Sequence, residues 1–161
     1  MIEIFKTSQT VFDLKDLASL LGEENYNNLK SRVAYYVKKG YLTRIRKWIF
    51  AKEDYNIYEL ACKIYTPSYI SFETVLQQHG IIYQYDDTIY LASYLSRNVE
   101  LDISHTSQAK KLKICYRKLK DDILYDTQWV KQERYYSIAS KERAIADMRY
   151  LKKDFYFDNL R

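Results

Sequence analysis

Two apolar stripes at helical spacing, split by a four-residue polar turn and followed at once by a strand-like ribbon, limit what the first third of this 161-residue chain can fold into. "FDLKDLASLLG" offers Asp13 as an N-cap, then Leu14, Leu17, Ala18 and Leu21 on one face, with Gly22 placed to end the helix. "NYNNLKSRVAYYVKKG" carries Tyr26, Leu29, Val33, Tyr36 and Val37 on a single stripe, with Gly40 just past its end. Gly22-Glu23-Glu24-Asn25 joins a short helix to a longer one through a tight turn, the sequence form of a helix-turn-helix. Residues 2–8 supply a packing helix before it. Tyr41–Ile45 and Trp48–Ala51 alternate around a turn at Arg46-Lys47, which predicts a two-stranded hairpin, or wing.

Charge is concentrated in the same region. Residues 1–52 hold ten Lys/Arg and five Asp/Glu, whereas residues 53–161 hold sixteen of each, so the formal net charge of +5 belongs to the first third. No acidic residue lies between Glu24 and Glu53, yet Lys30, Arg32, Lys38, Lys39, Arg44, Arg46, Lys47 and Lys52 all do. A basic block on a helix, a turn and a hairpin fits a polyanion, because a helix in the major groove needs a second contact on nearby phosphates to fix its register. At 100° per residue the face of the second helix opposite its apolar stripe presents Asn28, Ser31, Tyr35 and Lys38, with Arg32 on its flank. Asn28, Ser31, Arg32 and Tyr35 are the candidates for base edges, and Lys38, Arg44, Arg46 and Lys47 those for phosphates.

The rest of the chain reads as a second unit, giving an α+β protein: an N-terminal winged helix-turn-helix over 1–52, then a small α/β domain over 53–161 with a mixed sheet and flanking helices. Asn56–Tyr65 predicts a connecting helix that ends before Thr66-Pro67. "ISFETVLQQHGII" predicts a helix capped by Ser71, with Phe72, Val75, Leu76 and His79 on one side. Segments 88–93, 112–117 and 135–139 predict strands. Ser140 caps a last helix with the stripe Ala144, Ile145, Met148 and Leu151. The basic run "KKLKICYRKLK", Lys110 to Lys120, suits a lysine-protected edge strand or an extension of the nucleic-acid surface.

Chemistry finds little purchase. Cys62 and Cys115 stand apart, His79 and His105 have no ligand-spaced companion, and no cofactor or metal is expected. Asp86-Asp87 and Asp121-Asp122 read as solvated turn carboxylates, and no P-loop or GxSxG occurs, so the chain is read as a non-enzyme. No stretch approaches a membrane span, which suggests a cytoplasmic protein.

The pattern "FDLKDLASLLG…NNLKSRVAYYVKKGYLTRIRKWIFA", with "ACKIYTPSYISFETVLQQHGII", "TIYLAS" and "YYSIASKERAIADMRYL", resembles the AbiEi antitoxins of type IV toxin–antitoxin systems. Members of that family commonly continue past the segment matching "ERAIADMRYL", whereas the sequence here ends at Arg161. The resemblance implies a winged helix-turn-helix that binds inverted repeats in the protein's own promoter, and a C-terminal domain that counters a nucleotidyltransferase toxin without a stable complex. Double-stranded DNA is thus the expected partner. With no heptad seam to hold a free dimer, the expectation is a monomer in solution and two copies on a palindromic operator. The rival expectation is a non-catalytic interaction module whose basic face binds an acidic protein or RNA.

Overall fold

Asp13 and Asn25 fix where the first long helices begin. In the computed structural model, which describes residues 2–102 and 111–160, the Asp13 carboxylate accepts from the Asp16 N–H at 2.8 Å and the Asp16 carboxylate accepts from the Asp13 N–H at 2.9 Å. This reciprocal cap starts α2 (Leu14–Leu21), which ends at Gly22 in the left-handed region, φ +61°, where a Cβ would add strain. The Asn25 side chain accepts from the N–H groups of Asn27 and Asn28 and starts α3 (Tyr26–Lys38). Helix α1 (Ile2–Lys6) and strand β1 (Val11–Asp13) precede these helices, and β2 (Thr43–Arg46) and β3 (Ile49–Ala51) follow them. The strands form an antiparallel sheet in the order β1-β3-β2.

Both faces of this small sheet are buried. Phe12 lies opposite Phe50, and both pack with Ile4, Leu17, Leu29, Val33, Tyr36 and Leu42 from the helical side. Val11, Ile49 and Ala51 point the other way, into a larger core built mainly from residues after 56. Helix α4 (Ile57–Ile64), started by Asn56, covers that second face and also lies against the second sheet, so Leu60 and Ala61 are wholly buried between the two. The hydrophobic cores therefore interleave across residue 52.

The second sheet contains β4 (Ser68–Ile70), β5 (Ile89–Ser93), β6 (Arg97–Asp102), β7 (Lys111–Lys118), β8 (Val130–Gln132) and β9 (Ser137–Ala139), in the order β6-β7-β5-β4-β9-β8. It is mixed: β5–β7 and β4–β9 are parallel and the other pairs antiparallel. Ile70, Leu91 and Tyr116 share a row facing α4, where the Tyr116 hydroxyl donates to the Ala61 carbonyl at 2.6 Å. Helices α5 (Phe72–Gln78) and α7 (Lys141–Leu151) cover the opposite face, while α6 (Asp121–Leu124) links β7 to β8. The chain is an α+β protein.

A buried ionic cluster ties α7 to this sheet. Arg143 donates through Nε to Asp147 at 3.1 Å, through Nη1 to the carbonyls of Asp126 and Gln128, and through Nη2 to the Ile123 carbonyl and the Tyr69 hydroxyl. All five guanidinium N–H groups are thereby used. Asp147 also accepts from the hydroxyls of Tyr69 and Ser71 at 2.9 and 2.7 Å. Burial, then the Asp147 carboxylate, pushes the Tyr69 phenol well above its ordinary value, which keeps it a donor.

Several expectations need correcting. Ser71 precedes α5 but makes no side-chain cap, because its hydroxyl is spent on Asp147. His79 is exposed at the end of α5 and is not part of its packed side, and Leu151 is exposed where α7 runs past the sheet. Tyr26 is half exposed and stands outside the apolar stripe of α3. The predicted strands over 88–93, 112–117 and 135–139 correspond to β5, β7 and β9, but β7 is an inner strand covered by β6, so its lysines do not protect an edge. Lys110 and His105 lie outside the described residues. Among the described residues, no helix is long and apolar enough to cross a membrane.

Removing one partner of the Arg143–Asp147 pair leaves a buried charge uncompensated, so Arg143→Gln or Asp147→Asn should lower stability by about 3–5 kcal/mol in urea titration. A cost below about 1 kcal/mol would show that the cluster is wetter than its burial implies. Burial also pushes the Cys62 thiol from 9.0 up to about 11. The sign follows: its stabilising contribution is present below pH 9.0 and is lost as pH rises through about 11. Iodoacetamide at neutral pH should label the half-buried Cys115 and spare Cys62 until the protein unfolds.

Candidate nucleic-acid interface

Leu29, Val33 and Tyr36 bury one side of α3 against α1, α2 and the small sheet, which leaves the other side open. Asn28, Ser31, Tyr35 and Lys38 are all exposed on that side, as the spacing predicts. Arg32 is set apart from them. Its guanidinium lies 3.7 Å from the Glu23 carboxylate in the turn and donates to the Tyr36 hydroxyl at 3.4 Å. It braces the turn between α2 and α3 while exposing part of its charge.

The hairpin packs beside α3. Lys30, Ala34 and Lys38 from the helix and Arg44 and Trp48 from the hairpin line a groove of about 330 Å³, floored by apolar residues including Val33 and Phe50. Tyr26 joins them at the rim, its ring 6.4 Å from that of Trp48 and its face 4.6 Å from the Lys30 ammonium. Lys30 and Trp48 were not among the sequence-derived candidates, although Lys30, Ala34 and Lys38 form an i, i+4, i+8 row that marks the flank.

The hairpin turn falls at Lys47-Trp48, one residue later than Arg46-Lys47, with Trp48 at φ +63°. The shift follows from a β-bulge: Arg44 lies opposite Phe50, Arg46 lies opposite Ile49, and Ile45 is the extra residue between them. Simple alternation would put Arg44 and Arg46 on one face. The bulge sends Arg44 to the α3 side with Phe50 and Arg46 to the α4 side with Ile49. There Arg46 donates through Nη2 to the Tyr65 hydroxyl at 3.3 Å. Lys47 is exposed at the tip, 5.8 Å from the Trp48 ring centre.

Not every cation of the acid-free stretch is available. Lys52 donates to the Thr7 carbonyl at 2.6 Å, and burial lowers its pKa despite the nearby Glu59. Four of the five acids of this unit are occupied: Asp13 caps α2, Asp16 holds Lys63 at 2.7 Å, Glu23 faces Arg32 and Glu3 is engaged as well, while Glu24 is exposed in the turn before α3. The exposed side of α3 and the hairpin thus combine amide, hydroxyl and cationic donors with little opposing charge. Such a surface can hold a polyanion and read hydrogen-bonding edges.

Elsewhere, the carboxyl of Asp86 accepts from the Thr88 N–H and the Tyr90 hydroxyl beside a cavity of about 490 Å³. Among the described residues, no group of three His, Cys, Asp or Glu could hold a metal ion. A scan against protein-family models gives no match, and neither does a search of curated proteins.

Because the Arg32–Glu23 pair is solvent-screened, Arg32→Ala should lower stability by under about 1 kcal/mol in urea titration. A greater loss would make the turn, and with it the pose of α3, dependent on this ion pair.

Proposed function

We propose that residues 1–52 form a winged helix-turn-helix and that the chain is a sequence-specific repressor of its own operon. The carrying observation is the adjacency of the exposed α3 side, with Asn28, Ser31, Tyr35 and Lys38, to a hairpin bearing Arg44 and Lys47 across a groove lined by Lys30 and Lys38. Helix α3 enters the major groove. Asn28, Ser31 and Tyr35 meet base edges, with Arg32 at their margin, and Lys38, Arg44 and Lys47 grip flanking phosphates. The element order α1, β1, α2, α3, β2, β3 supports this reading, since it backs a helix pair with a sheet whose last two strands make the wing.

Operon autoregulation and the second role rest on the resemblance to AbiEi antitoxins. In that role the chain is the antitoxin of a type IV system and counters a nucleotidyltransferase toxin. It uses no cofactor and catalyses no reaction.

Fluorescence anisotropy of the full chain tests the DNA reading, with the duplex upstream of its own gene compared with a shuffled duplex across a salt series. The native duplex should bind more tightly, with log Kd linear in log salt. Arg44→Ala/Lys47→Ala should weaken both duplexes alike and lower the slope by about two, whereas Asn28→Ala should cost about 1–3 kcal/mol on the native duplex alone. Equal affinity for both duplexes would overturn sequence-specific repression. Binding to neither would move the basic face to RNA or an acidic protein.

A further inference from the structure

The bulge in the hairpin turns Arg46 towards the second unit, and Arg97 at the start of β6 meets it there. Arg97 donates through Nη1 to the same Tyr65 hydroxyl oxygen at 2.9 Å. The two guanidinium carbons lie 5.5 and 5.6 Å from the Tyr65 ring centre. One residue comes from the wing and the other from the edge strand of the large sheet, 51 positions apart in sequence.

The anchor between them is rigid. Tyr65 packs edge-on against the ring of Tyr116 at 4.9 Å, and Tyr116 is buried and bonded to α4. Burial raises the Tyr65 phenol, but the hydrogen bonds from Arg97 and Arg46 and their charges outweigh that and hold it below its ordinary value.

Two guanidiniums converging on one neutral oxygen repel each other and leave most of their N–H groups to solvent. Among the described residues, neither has a carboxylate within ion-pair distance. Two other arginines of the second unit differ in this: Arg117 is clamped by Glu73 and Arg143 by Asp147. A fixed, uncompensated arginine pair is the arrangement that receives an anion, and the planar fork of each guanidinium matches phosphate oxygens.

We propose that Arg46 and Arg97 form a clamp for one backbone phosphate of duplex DNA, extending the footprint from α3 and the wing onto the second sheet. Duplex DNA is favoured as the source of that phosphate because Arg46 lies in the same hairpin as Arg44 and Lys47, so a strand held at the tip continues towards Tyr65. Tyr65 is a positioning residue: it sets the separation of the two forks and contributes no charge. The proposal rests on the DNA reading above.

The test is the same anisotropy salt series on the full chain with Arg97→Gln, Arg46→Gln/Arg97→Gln and Tyr65→Phe, each checked for an unchanged melting curve. Arg97→Gln should lower the salt slope by about one, the loss of a single phosphate contact. The double variant should lower it no further, since both forks hold one phosphate. Tyr65→Phe should weaken binding several-fold while keeping the slope, because both charges remain. Tight wild-type binding with an unchanged slope in Arg97→Gln would overturn the clamp and leave the α3 reading standing. No wild-type binding to any duplex DNA would overturn both, and a slope change confined to duplex RNA would overturn the DNA clamp and assign the pair to RNA.

Discussion

Arg143 can lie inside the second unit only because five acceptors are built around it. A buried guanidinium left one bond short costs several kcal/mol, so the segment from Ile123 to Gln128 must turn its carbonyls inward to supply three of the bonds. Tyr69 and Ser71 orient Asp147 from β4 and the start of α5. One side chain thereby fixes the last helix, the middle of the sheet and the α6–β8 connection together. The cluster draws on both "PSYISFETVL" and "IASKERAIADMRYL", far apart in sequence, so their polar residues answer to one constraint.

A second polar device carries that order to the first unit. Glu59 of α4 is buried and accepts from the N–H groups of Thr10 and Val11 and from the Thr10 hydroxyl, at 2.7–2.9 Å. Lys63, one turn on, reaches Asp16 of the α2 cap. Because Leu60 and Ala61 sit between the two sheets, the helix that starts the second unit also completes the core of the first. A hydrophobic layer continuous across the boundary allows no free hinge there. The hairpin and β6 therefore keep a fixed separation, which a pair of arginines contributed by both units requires.

Much of this was legible in local sequence and some was not, for physical reasons. Asp13, Gly22 and Ser140 act through bonds within a turn of their own position, and so their roles follow from neighbouring residues. The apolar stripe of α3 was readable except at Tyr26, where the hairpin reaches only the rim of the helix and leaves the ring half exposed. Strands β1 and β4 run straight into the residues that start α2 and α5, Asp13 and Ser71, so helix signals mask them, β8 is mostly polar, and β6 carries charges at both ends. Ser71 looked like a cap because its position before a helix is visible, while the Asp147 that claims its hydroxyl lies 76 residues away. In the candidate interface the exposed residues of α3 followed from helical geometry. The opposed directions of Arg44 and Arg46 did not, because a single bulge inverts strand parity and leaves no trace in composition.

That inversion bears on how the net charge acts. The formal +5 of the first third counts Lys52, spent on Thr7, and Arg32, opposed by Glu23, equally with Arg44 at the groove. Among the cations left once these internal uses are removed, two groups lie on opposite faces of one hairpin: Lys30, Lys38 and Arg44 beside α3, and Arg46, joined by Arg97, beside Tyr65. A duplex that satisfies both must follow the edge of the hairpin from one face to the other. The shape of the hairpin, more than the number of its charges, then sets the path the backbone can take.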